Sequence, residues 1–348
     1  MLNPSQFRDL VSGRSRGLAA AVARFGLRVA EVPYALAVRW RNRRYDTGAA
    51  KTHRVGVPVV SVGNLTLGGT GKTPMVEWIA RWYRQQGVRV TVVSRGYGAE
   101  AGGRNDEAVA LEQNLPDVPH VQDPDRVAAA KLAIEEFQSQ LILLDDAFQH
   151  RRIARDLDVV LLDALEPFGF DHVFPRGTLR EPPHGLRRAD VVALSRADML
   201  DRPQREEIWR TVRRHAPQAV CLEITHAARA LISSSGEEEP LETLRGRPVA
   251  AFCGIGNPAG FRHTLETCGY RVADFREFPD HHPYSRADVE SLAAWADGLE
   301  VAAVLCTHKD LVKLDIDQLG RRPLRAIRIG LDFLTGQDPL EGRLLPLV

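Results

Sequence analysis

The spacing of apolar positions divides the chain into stretches of different character. Near the start, Leu18, Val22, Phe25, Val29, Val32, Leu36 and Trp40 recur at steps of four and three. That spacing returns to one side of a 3.6-residue turn and predicts an amphipathic helix, which Pro33 would kink or break. From there, short wholly apolar runs alternate with helical text. Strands are predicted at 57–62, 88–93, 141–144, 158–162 and 190–194, with helices beginning near Thr73, Asp125 and Pro203. Strands this apolar, separated by helices, predict a mainly parallel sheet covered on both faces. The turn-rich run Ser-Ser-Ser-Gly-Glu-Glu-Glu-Pro at 233–240 is the clearest internal break. A second alternation follows, with strands at 248–252, 270–275 and 301–306. The expected organisation is an N-terminal arm over 1–54, an α/β domain over 55–226 and a smaller α/β domain over 227–348, joined near 225–245. No internal repeat or low-complexity tract interrupts it.

Charge changes the picture of the arm. The whole chain of 348 residues carries a net charge of only +1, which argues against an overall electrostatic grip on nucleic acid. Residues 1–54, however, hold eleven Lys and Arg against three acids, Asp9, Glu31 and Asp46; this net +8 leaves −7 on the remainder. Basic residues fall between the apolar positions of the helix and cluster at Arg39, Arg41, Arg43 and Arg44. Such a helix can lie in the headgroup region of a membrane, apolar side down and arginines on anionic lipid. It can equally cover the core of its own domain and expose a solvated basic face. The arm's longest apolar run, residues 18–23, is far below the roughly 20 residues that span a bilayer, and arginines interrupt every candidate signal core. Cys221, Cys253, Cys268 and Cys306 show no paired spacing, as expected of reduced thiols in an intracellular protein.

The strongest chemical signal runs from Ser61 to Pro74, Ser-Val-Gly-Asn-Leu-Thr-Leu-Gly-Gly-Thr-Gly-Lys-Thr-Pro. A buried strand enters a glycine-rich loop, and Lys-Thr opens a helix. Glycines allow the backbone to wrap phosphate oxygens with its N–H groups pointing inward, and the helix N-terminus adds unpaired donors and a positive dipole end. Thr66, Leu67, Gly68, Gly69, Thr70, Gly71, Lys72 and Thr73 are therefore the candidate nucleotide-binding residues. Lys72 would reach the β- and γ-phosphates, and the Thr73 hydroxyl would ligate Mg²⁺. The leading glycine of the general pattern is Thr66 here. The second signal is Leu141-Ile142-Leu143-Leu144-Asp145-Asp146, a buried strand delivering carboxylates to the sheet edge, where such proteins organise Mg²⁺. Asp145 suits the metal side, and Asp146 could turn to an acceptor or serve as a turn residue.

Taken together these residues resemble the tetraacyldisaccharide 4'-kinase (lipid A 4'-kinase) family. The resemblance rests on the loop from Gly63 to Pro74, Ser94-Arg95-Gly96-Tyr97-Gly98, Asn105-Asp106-Glu107, Asp125-Arg126 and Asp145 to Arg152. It continues through Pro175-Arg176-Gly177-Thr178-Leu179-Arg180-Glu181-Pro182, Phe278-Pro279-Asp280-His281 and Thr307-His308-Lys309-Asp310, in order. It implies a P-loop NTPase-like fold with a smaller second domain closing over the active-site cleft. It also implies transfer of the ATP γ-phosphoryl, with Mg²⁺, to the 4'-hydroxyl of a tetraacylated glucosamine disaccharide 1-phosphate, giving lipid IV-A. A peripheral position on the cytoplasmic face of the bacterial inner membrane follows from the same resemblance. Carried over, Asp106 is the base, assisted by His281, with Lys72 and Asp146 completing the catalytic set. Thr73, Glu107 and Asp145 are the metal candidates, and Arg95, Arg126, Gln149, His150, Arg176 and Arg180 the acceptor contacts, since guanidinium groups suit a phosphate.

Three departures stand out. The family's Asp-Asp-Gly is Asp145-Asp146-Ala147 here, its Gly-Asp-Glu is Asn105-Asp106-Glu107, and the segment between the Ser-Arg-Gly-Tyr and Asp-Glu motifs is shortened to 99–104. Two other functions fit parts of the chain. Ser195-Arg196-Ala197-Asp198 after a strand loosely mimics a guanine-reading element and suggests a regulatory or metal-delivery GTPase; a nucleotide-dependent binding module without catalysis is the other.

Overall fold

The computed structural model describes residues 4–96, 106–280 and 282–348. Two helices, α1 (Pro4–Val11) and α2 (Leu18–Asp46), precede the sheet. The elements then run β1 (Val59–Asn64), α3 (Lys72–Gln85), β2 (Val90–Ser94), α4 (Asp106–Asn114), β3 (His120–Gln122), α5 (Arg126–Phe137), β4 (Leu141–Asp145), β5 (Leu157–Asp163) and β6 (Val191–Ser195). They continue α6 (Arg202–His215), β7 (Val220–Ile232), β8 (Glu238–Glu239), β9 (Pro248–Cys253), α7 (Pro258–Thr267), β10 (Arg271–Glu277), α8 (Arg286–Asp297) and β11 (Ala303–Thr307). Last come α9 (His308–Leu314), β12 (Gln318–Leu319), β13 (Arg322–Thr335) and α10 (Gln337–Leu344).

Chain packing divides the described residues into two compact units, one of 4–96, 115–225 and 332–348, the other of 106–114 and 226–331. In the first, the parallel order is β7-β6-β5-β1-β4-β2-β3, with β1 at the centre. Every residue of β1, β2, β5 and β6 is buried, which is why these strands read as unbroken apolar runs. One face of this sheet packs Leu65, Phe148, Val160, Leu162, Val192 and Trp209; the other packs Val59, Val93, Val127, Ala130 and Ile142. The chain's end returns to this unit, where Phe333 meets Trp78 edge to face and the Tyr83 hydroxyl donates to the Leu344 carbonyl over 3.0 Å.

In the second unit, β10, β9, β11 and β13 lie side by side and parallel, over a core that includes Phe252, Leu292, Val304 and Leu324. Here the expected linear division needs correcting. Residues 225–232 are not a linker but the continuation of β7, and 233–240 is the turn into β8, which pairs with it antiparallel. The turn-rich text was a hairpin signal. The segments 106–114 and 332–348 belong with the units opposite to those a single cut near 226 would assign. Their partners lie far away in sequence: His308 Nε2 sits 2.8 Å from Gln113 Oε1, joining α9 to α4.

Candidate active site

The phosphate loop leaves the C-terminal end of β1, the central strand of its unit, where ligands of open parallel sheets bind. Gly63 is required there by crowding: a Cβ would lie 2.6 Å from that of Phe148. Positive φ falls at Gly68 and at Gly71, the residue before α3. Thr66 needs no such freedom. It forms an antiparallel bridge with Leu179, flanked by Leu67 N–H donating to the Thr178 carbonyl and Arg180 N–H to the Leu65 carbonyl, both 2.7 Å. The absent leading glycine is thus explained: the loop's first half is a short strand. From inside, the buried Asn64 amide donates to the Thr70 hydroxyl over 3.0 Å and to the Gly68 carbonyl over 3.5 Å. Lys72 and Thr73 open α3, so the free first-turn N–H groups of that helix stand at the end of the loop.

The acid pair ends β4, in register with β1 through Val62 and Asp145. Positive φ falls on Asp146, at +50°, and not on the buried Ala147, so alanine in place of glycine costs no backbone strain. That turn aims the Asp146 carboxylate at two cations. Lys72 Nζ is 3.5 Å from it, and Arg180 Nη1 lies 2.8 and 2.9 Å from its two oxygens. Burial would raise this carboxyl, but Lys72 and Arg180 hold it down at about 2. Asp146 therefore keeps Lys72 and Arg180 together beside the loop.

A second cationic feature lies next to it. Arg126, only 4% exposed, is the first residue of α5, after the cap Asp125 whose carboxylate takes the Val127 and Ala128 N–H groups. Its Nε is buried without a hydrogen-bond partner. Burial lowers its pKa, Asp146 opposes the shift and Arg95 adds to it, so these groups share one field. His150 is near enough to feel Arg126. Burial and then Arg126 and Arg155 push it down to about 4, leaving a neutral ring whose Nε2 is buried and unbonded. A buried guanidinium beside a neutral imidazole is suited to receive an anion.

Other expected contacts are used within the fold. Gln149 Nε2 donates to the Asn64 carbonyl and to Glu181 over 2.9 and 3.1 Å, and Arg176 Nη1 donates to the Val11 carbonyl at the end of α1 over 2.9 Å. Glu181, not singled out from the sequence as a site residue, is fully buried. It accepts from Asn42 of α2, Gln149 and Arg188. The signal that could have found it was an acid amid three arginines (Arg180, Arg187, Arg188) and prolines. Asp106 begins α4 in the second unit; its side chain and that of Glu107 lie outside the described residues, as do His281 and 97–105.

The arm packs on the first unit by a face the apolar spacing did not indicate. α2 is continuous across Pro33. It turns Glu31, Tyr34, Val38, Asn42 and Asp46 inward. Glu31 accepts from Val173 N–H over 2.8 Å, Tyr34 donates to the Arg180 carbonyl over 3.2 Å, and Asp46 pairs with Arg151 and Arg187. The predicted stripe faces outward: Leu18 is 83% exposed, Phe25 69% and Trp40 63%, with Val22, Val29, Val32 and Leu36 open as well. The core-covering alternative is therefore not what this stripe does.

A parallel α/β sheet with a lysine-bearing phosphate loop at its central strand, and an acid pair ending the next, defines a P-loop nucleotide-dependent phosphotransferase. The sequence model of the LpxK family, tetraacyldisaccharide-1-P 4'-kinase, matches residues 23–346. A tetraacyldisaccharide 4'-kinase of Anaeromyxobacter dehalogenans is 42% identical, over 94% of this chain and 91% of its own length. That of Halothermothrix orenii is 35% identical, over 89% and 88%. Among solved structures, the "apo" form of LpxK from Aquifex aeolicus in complex with ATP superposes with a TM-score of 0.73 at 29% identity, covering 93% of this chain and 99% of that one. The chain belongs to the tetraacyldisaccharide 4'-kinase family. That membership sets the GTPase reading aside.

Proposed function

We propose that the described loop and its surroundings carry out the family's reaction as follows. The loop amides and Lys72 hold the β- and γ-phosphates of ATP, and Arg180, tethered by Asp146, neutralises charge on the group being transferred. The 4'-hydroxyl oxygen of the acceptor attacks the γ-phosphorus. The new O–P bond forms as the bridging bond to ADP breaks, and the hydroxyl proton passes to Asp106. Asp106 is the first residue of α4. His281 assists it. Arg126 and His150, with Arg95 nearby, receive the acceptor's anomeric phosphate, a reading supported by the buried guanidinium Nε and imidazole Nε2 that the fold leaves unbonded.

The donor set fits Mg²⁺. The Thr73 hydroxyl, in the first turn of α3, and the Asp145 carboxylate, at the end of β4, are hard oxygens. Among the described residues no cluster of three or more His, Cys, Asp or Glu forms an all-protein cage, as expected of an ion that shares its coordination with phosphates and water. When bound, Mg²⁺ would offset the negative charge of the phosphates. Asp146, engaged by Lys72 and Arg180, is the less suited ligand.

The outward stripe of α2, with Arg39, Arg41, Arg43 and Arg44 exposed beyond it, rests on the anionic cytoplasmic face of the inner membrane, where the lipid acceptor resides. Among the described residues no helix is long and apolar enough to cross a membrane, so this contact would be peripheral.

The observation that carries the catalytic reading is the Lys72–Asp146–Arg180 cluster at the mouth of the phosphate loop. The test is transfer of ³²P from the γ-position of ATP to detergent-dispersed tetraacyldisaccharide 1-phosphate. GTP hydrolysis indifferent to that acceptor would overturn it. In the same assay Asp106→Ala is expected to lower kcat by about 10²–10⁴-fold while leaving the affinity for ATP unchanged; equal loss of both would reassign Asp106 to the nucleotide.

A further inference from the structure

We propose that Arg196 is a positioning residue for the nucleotide, locking one peptide plane of the phosphate loop with its N–H group turned inward. In the sequence, Arg196 belonged only to a poor imitation of a guanine-reading element. In the structure it follows the last residue of β6 and adopts a left-handed backbone, φ 58° and ψ 36°. A non-glycine side chain is held in that region only where its surroundings enforce it, and such positions gather at functional sites.

The surroundings here are specific. Nη1 of Arg196 donates to Asp163 over 2.6 Å, and Nη2 donates to the Gly69 carbonyl over 3.1 Å. Asp163 ends β5, the strand hydrogen-bonded alongside β1, so the fork ties the loop to the rigid sheet. Both side chains are largely buried, at 11% and 12% exposed, so the pairing is little screened by solvent.

The consequence follows from peptide geometry. In a planar trans peptide the carbonyl and the next N–H point in opposite directions. With the Gly69 oxygen held outward by Arg196, the Thr70 N–H is turned away from the guanidinium, toward the phosphate position the loop encloses. Glycine gives this plane little resistance to flipping, and a flip would present a carbonyl oxygen to the phosphate instead. Asn64 restrains the neighbouring plane, through the Gly68 carbonyl and the Thr70 hydroxyl. The two clamps fix consecutive planes. Arg196 thus acts through the loop, on the nucleotide and not on the acceptor.

This inference rests on the phosphate-loop reading above, and the test separates the two. Arg196→Gly in the full chain keeps the left-handed backbone without steric cost and removes the side chain with its guanidinium; Arg196→Asn, also tolerant of that conformation, serves if the glycine variant folds poorly. Binding of MgATP is measured by calorimetry, and KM for both substrates by the transfer assay. Loss of a charge-assisted hydrogen bond is expected to weaken MgATP about tenfold and to raise its KM in step. The acceptor KM should stay within about twofold, because nothing at its site has changed. Arg196→Lys keeps the charge but cannot fork, and should fall between. Wild-type affinity in Arg196→Gly, or full affinity in Arg196→Lys, would overturn the lock. A wild-type chain that binds no MgATP would instead overturn the loop reading itself.

Discussion

The phosphate loop is held from three sides: by Asn64 within, by the Thr178–Arg180 backbone along its first half, and by Arg196 at Gly69. The apolar stripe of α2, barely forty residues earlier, stands open to solvent. Both are strong local signals, yet one organises its neighbours and the other ignores them. The difference lies in what each signal demands. A nest of N–H groups is useless unless its planes are fixed, so the fold must surround it. An amphipathic helix demands only an apolar medium on one side, and any such medium satisfies it. α2 meets its own unit through the opposite face, offset by two residues and so by about 200° of helix rotation, where Glu31, Asn42 and Asp46 make hydrogen bonds and ion pairs.

The sharpest way to break this contrast is at the loop. Lys72→Ala should reduce phosphoryl transfer by at least about 10²–10³-fold, the scale of losing one preorganised charge at the transferring group, with the fold intact by circular dichroism. A mild effect would mean that the loop's order serves only the structure. Next in size is the inward face of the arm. Glu181→Ala strands the Arg188 guanidinium in the interior and should cost about 3–5 kcal/mol in chemical unfolding. Asn42→Ala, which removes one donor to that carboxylate, should cost about 1–3 kcal/mol. The outward face should behave in the reverse sense. Phe25→Glu with Val29→Glu is expected to change stability by less than about 0.5 kcal/mol, as surface substitutions do, while abolishing sedimentation with anionic vesicles. Lost stability with unchanged sedimentation would turn the comparison around.

The smallest effect concerns pH. Asp146 has its pKa lowered, to about 2, so the stability it contributes is fully present above its ordinary value near 3.8 and is lost as pH falls through 2. The melting difference between wild type and Asp146→Asn should be flat from pH 8 to about 5 and shrink only below about 4. Because the carboxylate remains partly open to solvent, the difference should also diminish in high salt.

Five strands of the first unit, β1, β2, β4, β5 and β6, were legible because strands buried on both faces show as apolar text, and each predicted run lies within a few residues of an observed one. The long strands β7 and β13 were missed. They mix exposed and buried positions as each passes from one unit to the other, so no single period describes them. At the candidate site, the loop and the acid pair were legible from residue type and spacing. The partners of Gln149, Arg176 and Glu181 were not, because each is supplied by a distant segment.

By itself, the sequence determined the alternation of strand and helix, the phosphate loop with Lys72 and Thr73, the carboxylates that end β4, and the strong basic bias of the arm. These rest on local physics: periodicity, glycine's backbone freedom and formal charge. Only the tertiary structure decided that Asp146 turns to Lys72 and Arg180, that Arg196 reaches the Gly69 carbonyl and that Glu181 is buried under α2. It alone decided that the arm's apolar stripe looks outward. Each of these depends on which remote group occupies the space beside a side chain. Period and composition cannot encode that, because a buried charge or an apolar face has several possible partners until the packing selects one.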